Sequence, residues 1–346
     1  METSSTFDFK QARDLIDRAK HIVLTVHSRP DGDCIGSALA LARVLTRYGK
    51  KVHIISPDPV PGFLQWLPGV DEVIVFSDNP DKAEKILQEG DLIFLLDFNA
   101  FHRTGNRMSK VLENLYPHKT FVMIDHHLEP DTRIPYRFSD PGKSSTAEMV
   151  YLFIEKTGLK PYFDEKAAEA VYTGILTDTG SFKFGNTTGT TMRIAAGMID
   201  YGIDNASIQS RIYDTYSVDK FNLLAEALKR LKIIPECHTT YIALDLPTLE
   251  KYRYRPGDTE GIVNYGLSLK DAYFTALITE KPDEPGIIRF SFRSKNHFDV
   301  NRFARKYFNG GGHANAAGGS FKGKLNDAVE AFVQAVKKEC KEIDKG

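Results

Sequence analysis

The peptide Met123-Ile124-Asp125-His126-His127 sets a carboxylate and two imidazoles directly after a short apolar run. Imidazole nitrogen and carboxylate oxygen together are the donor mixture that borderline and hard divalent ions take. Alone, such a peptide also reads as an ordinary polar turn, but three others repeat its design. Leu24-Thr25-Val26 runs into His27, Asp31 and Asp33. Leu92-Ile93-Phe94-Leu95-Leu96 ends on Asp97, and Gly174-Ile175-Leu176-Thr177 delivers Asp178 into a turn closed by Gly180. Pro30-Asp31-Gly32 by itself would be a turn with Asp33 capping a helix. Four apolar segments that each end on Asp or His supply enough ligands for two ions that prefer oxygen and nitrogen.

Those segments need a scaffold. Runs near residues 22–27, 52–56, 73–76, 92–97 and 121–125 read as strands alternating with helical or loop segments. That rhythm predicts an α/β fold with a doubly wound parallel sheet, whose carboxyl edge gathers ligands. Helical spacing covers 145–156, 164–176 and 188–201, and Phe221, Leu224, Leu228 and Leu231 continue it through 204–232. A second, smaller α/β domain begins near Ile233, with strands near 240–245, 272–279 and 286–293 and a closing helix near 326–341. The expected division is a first domain over 1–203 that carries the ligand candidates, a helical connector over 204–232 and a second domain over 233–346, which the resemblance set out below would make the catalytic and the substrate-binding domain.

Two peptides of the second domain can meet an anion. Phe308-Asn309-Gly310-Gly311-Gly312-His313 carries three glycines whose N–H groups can converge without Cβ obstruction, and His313 adds a donor. Gly286 to Ser294 alternates as a half-buried strand, with Arg289, Ser291 and Arg293 on one face. Arg289 reads as a solvated residue.

The order H-x-x-x-D-x-D, lone Asp, D-H-H, further Asp resembles the DHH phosphoesterase superfamily. Gly310-Gly311-Gly312-His313 through Ala316-Ala317-Gly318 looks like the signature of its DHHA1 domain. The resemblance implies two manganese ions, with magnesium as the alternative. His27, Asp31 and Asp97 would hold one, and Asp33, Asp97, His126 and Asp178 the other, with Asp97 bridging. It further implies that His127 contacts the scissile phosphate, that Asp125 orients the site, and that Arg293, His313, Gly311 and Gly312 bind substrate. Arg103 matches an arginine common in the nano-RNase branch. RecJ-type exonucleases are longer and add a nucleic-acid-binding barrel. Family II pyrophosphatases lack the glycine signature, and Arg293-Ser294-Lys295 is a faint echo of their basic cluster. The branch implied is the nano-RNase and pAp phosphatase group, which acts on short oligoribonucleotides, linear dinucleotides and 3′-phosphoadenosine 5′-phosphate (pAp). An exopolyphosphatase or pyrophosphatase-like activity is the alternative, and a catalytically silent nucleotide-binding regulator a further one.

The chain of 346 residues has a formal net charge of −1. Proteins that grip long nucleic acid are usually basic, so near-neutrality favours a short substrate over a long duplex. Cys34, Cys237 and Cys340 are far apart and read as unpaired, with Cys34 a packing residue. Residues 1–5 lack a signal-peptide pattern and no apolar run reaches membrane-spanning length, so a cytoplasmic protein without membrane association is expected. A homodimer remains open.

Overall fold

A computed structural model describes residues 7–295 and 297–345; the N-terminal peptide discussed above lies outside the described residues. The chain divides into two units, Met1–Thr215 and Tyr216–Gly346.

The first unit runs α1 (Phe9–Arg18), β1 (His21–Thr25), α2 (Gly32–Arg47), β2 (Lys51–Ser56), β3 (Ile74–Val75), α3 (Pro80–Glu89), β4 (Leu92–Leu96), α4 (Asn106–Leu115), β5 (Thr120–Asp125) and β6 (Tyr136–Ser139). Helices α5 (Thr146–Lys156), α6 (Glu165–Asp178), α7 (Gly189–Asp200) and α8 (Asn205–Tyr213) follow. The six strands form a wholly parallel sheet in the order β3-β2-β1-β4-β5-β6. Strand side chains alternate between two cores, as a sheet covered on both faces requires. Ile22, Leu24, Phe94 and Ile124 face α2, α5 and α6. Val23, Ile93, Leu95 and Met123 face α3 and α4.

The chain changes direction across the sheet between β1 and β4, and a crevice opens at the carboxyl ends of such strands. Helices α2 and α6 close over it by backbone approach. A Cβ at Gly36 would lie 2.4 Å from the Ala170 carbonyl oxygen, and one at Gly174 would lie 2.5 Å from Ala147 Cβ. Only glycine permits this spacing, which brings the start of α2 and the end of α6 together.

The second unit runs α9 (Val218–Lys229), β7 (Lys232–Ile234), β8 (Thr239–Leu244), α10 (Leu246–Lys251), α11 (Ile262–Gly266), β9 (Phe274–Glu280), β10 (Ile287–Ser294), α12 (Val300–Tyr307), β11 (Gly311–His313), β12 (Ala316–Lys322) and α13 (Leu325–Asp344). Its mixed sheet has the order β11-β12-β10-β9-β8-β7, parallel only between β8 and β9. One face packs against α12 and α13 through Phe303 and Phe332, the other against α9 through Leu223 and Leu224.

Three differences from the sequence reading have physical causes. Residues 204–232 hold two helices rather than one connector, with α8 counted in the first unit and α9 in the second. The three glycines read as free to converge on an anion are built into a hairpin: β11 and β12 pair, and a Cβ at Gly310 would lie 1.9 Å from the Gly318 carbonyl oxygen. Gly310 and Gly312 permit this close backbone packing, a Cβ at Gly312 lying 2.5 Å from the Ala316 carbonyl oxygen. Finally, Cys237 and Cys340 form a disulfide across 103 residues, a pairing that no local spacing could signal.

The α2–α6 approach gives a first prediction. Gly36→Ala should lower stability by about 1–3 kcal/mol through overpacking against Ala170, measured by urea unfolding. An unchanged midpoint and slope would show that the helices can part without strain.

Candidate metal centre

Each ligand candidate sits at an element end on the carboxyl edge. His27 follows β1 and is buried. Its Nδ1 donates to the Ser28 carbonyl at 2.9 Å, which turns Nε2 toward Asp97 Oδ2 at 3.3 Å and Asp31 Oδ2 at 3.6 Å. Asp31 caps α2, accepting from the N–H groups of Asp33 and Cys34. Asp97 follows β4 with φ 64°, a left-handed conformation that aspartate tolerates better than most residues. Its N–H still donates to the Ile124 carbonyl, so Asp97 is tied to β5 at the point where the backbone turns. His126 lies just past β5, with Nδ1 donating toward the Lys143 carbonyl at 3.4 Å. Its Nε2 is 3.6 Å from Asp97 Oδ1, 3.6 Å from Asp178 Oδ2 and 3.9 Å from Asp33 Oδ2. Asp178 closes α6.

These side chains form three overlapping groups whose ligand atoms lie within 4.8 Å of one another: His27, Asp31, Cys34 and Asp97; Asp97, His126 and His127; Asp33, His126 and Asp178. Cys34 was read as a packing residue. It is buried, but its sulfur also belongs to the first group, and burial pushes the thiol up to about 12.

The electrostatics fit a cation. Burial and the charges of Asp97, Asp178 and Asp31 raise Asp33 well above the usual carboxylate range. Burial pushes Asp178 up to about 7, with Asp97 and Asp31 adding to the rise and His126 opposing it. Burial also opposes Asp97 ionisation, but His27, His126 and His127 together hold that carboxyl below its usual range. Burial opposes charge on His27 as well, and Asp31 and Asp97 outweigh it, holding the imidazole well above its ordinary value. The Cys34 thiol stays protonated near neutrality, so the carboxylates carry that last effect. Protons are retained where divalent ions would otherwise supply positive charge. Both imidazoles present Nε2 with Nδ1 tied to a carbonyl, the arrangement that orients histidine ligands.

Residues 21–175 match the DHH family, N-terminal domain, and residues 238–342 the DHHA1 domain. The bifunctional oligoribonuclease and PAP phosphatase NrnA of Thermus thermophilus is 31% identical over 320 residues, spanning 92% of this chain and 90% of that one. The chain belongs to the DHH/DHHA1 phosphoesterase family. The NrnA of Bacillus subtilis is 30% identical over 86% of this chain and 88% of its own. The solved structure of an exopolyphosphatase-related protein from Bacteroides fragilis superposes with a TM-score of 0.94 at 34% identity, over 99% and 100% of the two chains. RecJ of Thermus thermophilus in complex with Mn2+ shares the fold at a TM-score of 0.59 and 15% identity, over 98% of this chain and 56% of that one.

In this phosphoesterase His127 Nδ1 donates to Asp125 Oδ1 at 2.7 Å, and Asp125 is wholly buried. Burial opposes the charged imidazole, but Asp125 and Asp97 raise His127 above its ordinary value, against an opposite push from Arg103. The Arg103 carbonyl accepts from Ser28 N–H at 2.8 Å, next to His27 in the chain. In the DHHA1 unit, Arg293 lies half-buried on the polar face of β10, with Nη1 donating to the Phe292 carbonyl. Burial pulls Arg293 below its usual value while Glu260 opposes the shift. His313 ends β11 and is exposed, as is Arg289. Gly310 N–H donates to the Ala304 carbonyl and Gly312 N–H to Asn301 Oδ1, while Gly311 pairs with Gly318 in the β11–β12 ladder.

Thr146 escaped the sequence reading. It begins α5, its N–H donates to Asp33 Oδ2 at 2.7 Å, and its hydroxyl donates to Asp97 Oδ1 at 2.8 Å. The next N–H, from Ala147, reaches Asp33 Oδ1 at 2.8 Å. Ser145 followed by Glu148 three residues later does mark a helix start. Nothing local says where that start points.

Removing the Thr146 hydroxyl should loosen Asp97. Thr146→Val is expected to weaken Mn2+ binding by about 10–100-fold, the usual effect of losing a group that orients a ligand, while Thr146→Ser stays near the parent. Calorimetric titration of the purified chain checks both. An unaltered affinity in the valine variant would show that the hydroxyl does nothing for Asp97.

Proposed function

We propose that this DHH phosphoesterase hydrolyses short oligoribonucleotides and linear dinucleotides and removes a phosphate from pAp, using two manganese ions, with magnesium as the alternative. The convergence of His27, Asp31, Asp33, Asp97, His126 and Asp178 into overlapping groups carries the reading. NrnA proteins that match most of this chain support the substrate class. One ion would be held by His27, Asp31 and Asp97, the other by Asp33, Asp97, His126 and Asp178.

Two such ions, when bound, contribute Lewis-acid charge and lower the pKa of a bound water toward neutrality. The protein's own groups divide the rest of the work. Asp97 reaches both groups of ligands and is fixed by Thr146 and by its backbone turn. His127, fastened to Asp125, offers a cation that can neutralise a phosphoryl oxygen or give a proton to the leaving oxygen. Arg103, whose charge acts on His127, would add to the positive charge there. Arg293 and His313, with Gly311 and Gly312, are the proposed substrate-binding residues of the DHHA1 unit. Arg293 suits that part because a desolvated guanidinium meets a phosphate bidentately.

A second reading has one observation in its favour: the Bacteroides fragilis structure is described as exopolyphosphatase-related. Phosphoanhydride cleavage would use the same centre. A silent regulator finds less support, since all six ligand candidates are present and brought together. No helix among the described residues is long and apolar enough to cross a membrane, and a cytoplasmic location belongs to the proposal.

Asp97→Ala should reduce hydrolysis at saturating Mn2+ by at least about 10³-fold, since both ions lose a shared ligand. Metal content and a far-ultraviolet spectrum of the variant separate site loss from unfolding. Turnover close to the parent rate would defeat the two-metal reading.

Selectivity for length follows from charge. With a formal net charge of −1 the chain has little excess positive charge with which to grip a long strand. A 5′-phosphorylated dinucleotide, pAp, a long single-stranded RNA and pyrophosphate can be compared side by side with Mn2+. The kcat/KM should fall as the oligonucleotide lengthens, and duplex DNA should be left intact. Rising efficiency toward long RNA would favour a RecJ-like exonuclease, and far faster pyrophosphate turnover the phosphoanhydride reading.

A further inference from the structure

Helix α6 ends on Asp178, and the turn that follows it is held in a rare conformation. Gly180, Ser181 and Phe182 are all left-handed, with φ of 56°, 60° and 65°. Glycine takes that region freely, but a bulky residue seldom does. Hydrogen bonds impose it here. Ser181 N–H donates to the Leu176 carbonyl at 2.8 Å and Phe182 N–H to the Thr179 hydroxyl at 3.0 Å. Lys183 and Phe184 N–H both donate to the Thr179 carbonyl, at 3.0 and 2.9 Å. The Asn186 amide closes the turn on the Asp178 carbonyl. Backbone strain held by so many bonds collects at functional sites.

Two phenylalanines leave this turn, and they have different fates. Phe182 packs against the first core, its ring 6.1 Å from that of Tyr172. Phe184 stays out of the core and is 44% exposed. It is nevertheless seated. A Cβ at Gly180 would lie 2.5 Å from Phe184 Cζ and 2.6 Å from its Cε2, so the far edge of the ring rests on bare backbone two residues past Asp178. The centre is open on this side. The Asp178 side chain is 32% exposed, whereas those of Asp33 and Asp97 are 2% and 3% exposed.

A flat apolar ring, fixed in place and exposed beside a phosphoesterase centre, suits a flat aromatic partner. A nucleobase supplies one, and stacking accepts any base because each has a π-face. Inorganic polyphosphate has no such group, so the ring would be idle in phosphoanhydride cleavage.

We infer that Phe184 is a stacking platform for a substrate nucleobase at the Asp97 centre, an inference that rests on the nucleotide reading of that centre. Calorimetric titration of the full chain with Mn2+ tests it by comparing adenosine 5′-monophosphate with ribose 5-phosphate, which lacks the base. The parent should bind the nucleotide about 5–100-fold more tightly, the range that one base stack spans. Phe184→Leu keeps apolar bulk on Gly180 without the π-face. It should lose most of that preference while binding ribose 5-phosphate as the parent does, which also shows that the site is intact. Phe184→Tyr should retain the preference. In turnover, the leucine variant should raise KM for a dinucleotide and for pAp, with kcat near that of the parent. A preference that survives Phe184→Leu, or a parent that has none, would overturn the inference. A parent that hydrolyses neither dinucleotide nor pAp would sink the functional reading instead, and the titrations keep the two failures apart.

Discussion

Repulsion among four carboxylates governs the first unit. Asp31, Asp33, Asp97 and Asp178 converge at the carboxyl edge of the sheet, each within 3.9 Å of His126 Nε2 or His27 Nε2. Removing one carboxylate from water is costly, and adding like charge beside it is more so. A chain that places four there must supply compensating positive charge, and much of the unit's architecture does so. Three imidazoles face the cluster. The first two N–H groups of α5 donate to Asp33, so the positive end of a helix dipole is aimed at its carboxylate.

The fold then has to hold those groups against their mutual strain. The start of α5 is braced from behind by Glu148, a buried carboxylate that accepts from the Ser144 and Thr191 hydroxyls at 2.6 and 2.7 Å. Asn186 ties the same segment to α6, its amide donating to the Ser144 and Asp178 carbonyls. Gly32, Gly36 and Gly174 let α2, α5 and α6 approach closely enough for Asp33 to reach both α5 N–H groups. A Cβ at Gly174 would itself come within 3.0 Å of Asp33 Oδ1, so small residues shape the pocket directly. Ligand geometry and helix packing are thus one problem in this unit: moving α2 from α6 also moves Asp33 from Asp178.

What could be read from the sequence divides along the same line. Strand ends were legible because a parallel strand buried on both faces is a continuous apolar run, and the first polar residue after it lies at the carboxyl edge. His27, Asp97 and His126 all follow that rule. Thr146 was not legible, because its role depends on contacts with Asp33 and Asp97, 113 and 49 residues away. The DHHA1 hairpin was missed for a different reason. Glycine-rich sequence signals permissive backbone, and a close-packed strand pair uses that permission as readily as a loop does. Short edge strands such as β6 and β7 have too few residues for alternation to show. Continuous helical spacing did not reveal the break between α8 and α9, where Asp214 to Ser217 intervene.

Near-neutral charge over the whole chain conceals a division between its units. Of 45 Lys and Arg residues, 24 fall in residues 1–215, together with 29 of the 46 Asp and Glu; residues 216–346 hold 21 and 17. The DHH unit is therefore acidic and the DHHA1 unit basic. An excess of five negative charges would repel a phosphate ester in the absence of cations, and two divalent ions would bring that unit close to neutral. The basic excess of the other unit is only four, enough to attract one or two phosphates but not to hold a long polyanion through its backbone. On the proposed reading, the acidic unit would gain its attraction for phosphate from cations held at the Asp97 cluster, so that cation binding would govern substrate approach as well as chemistry.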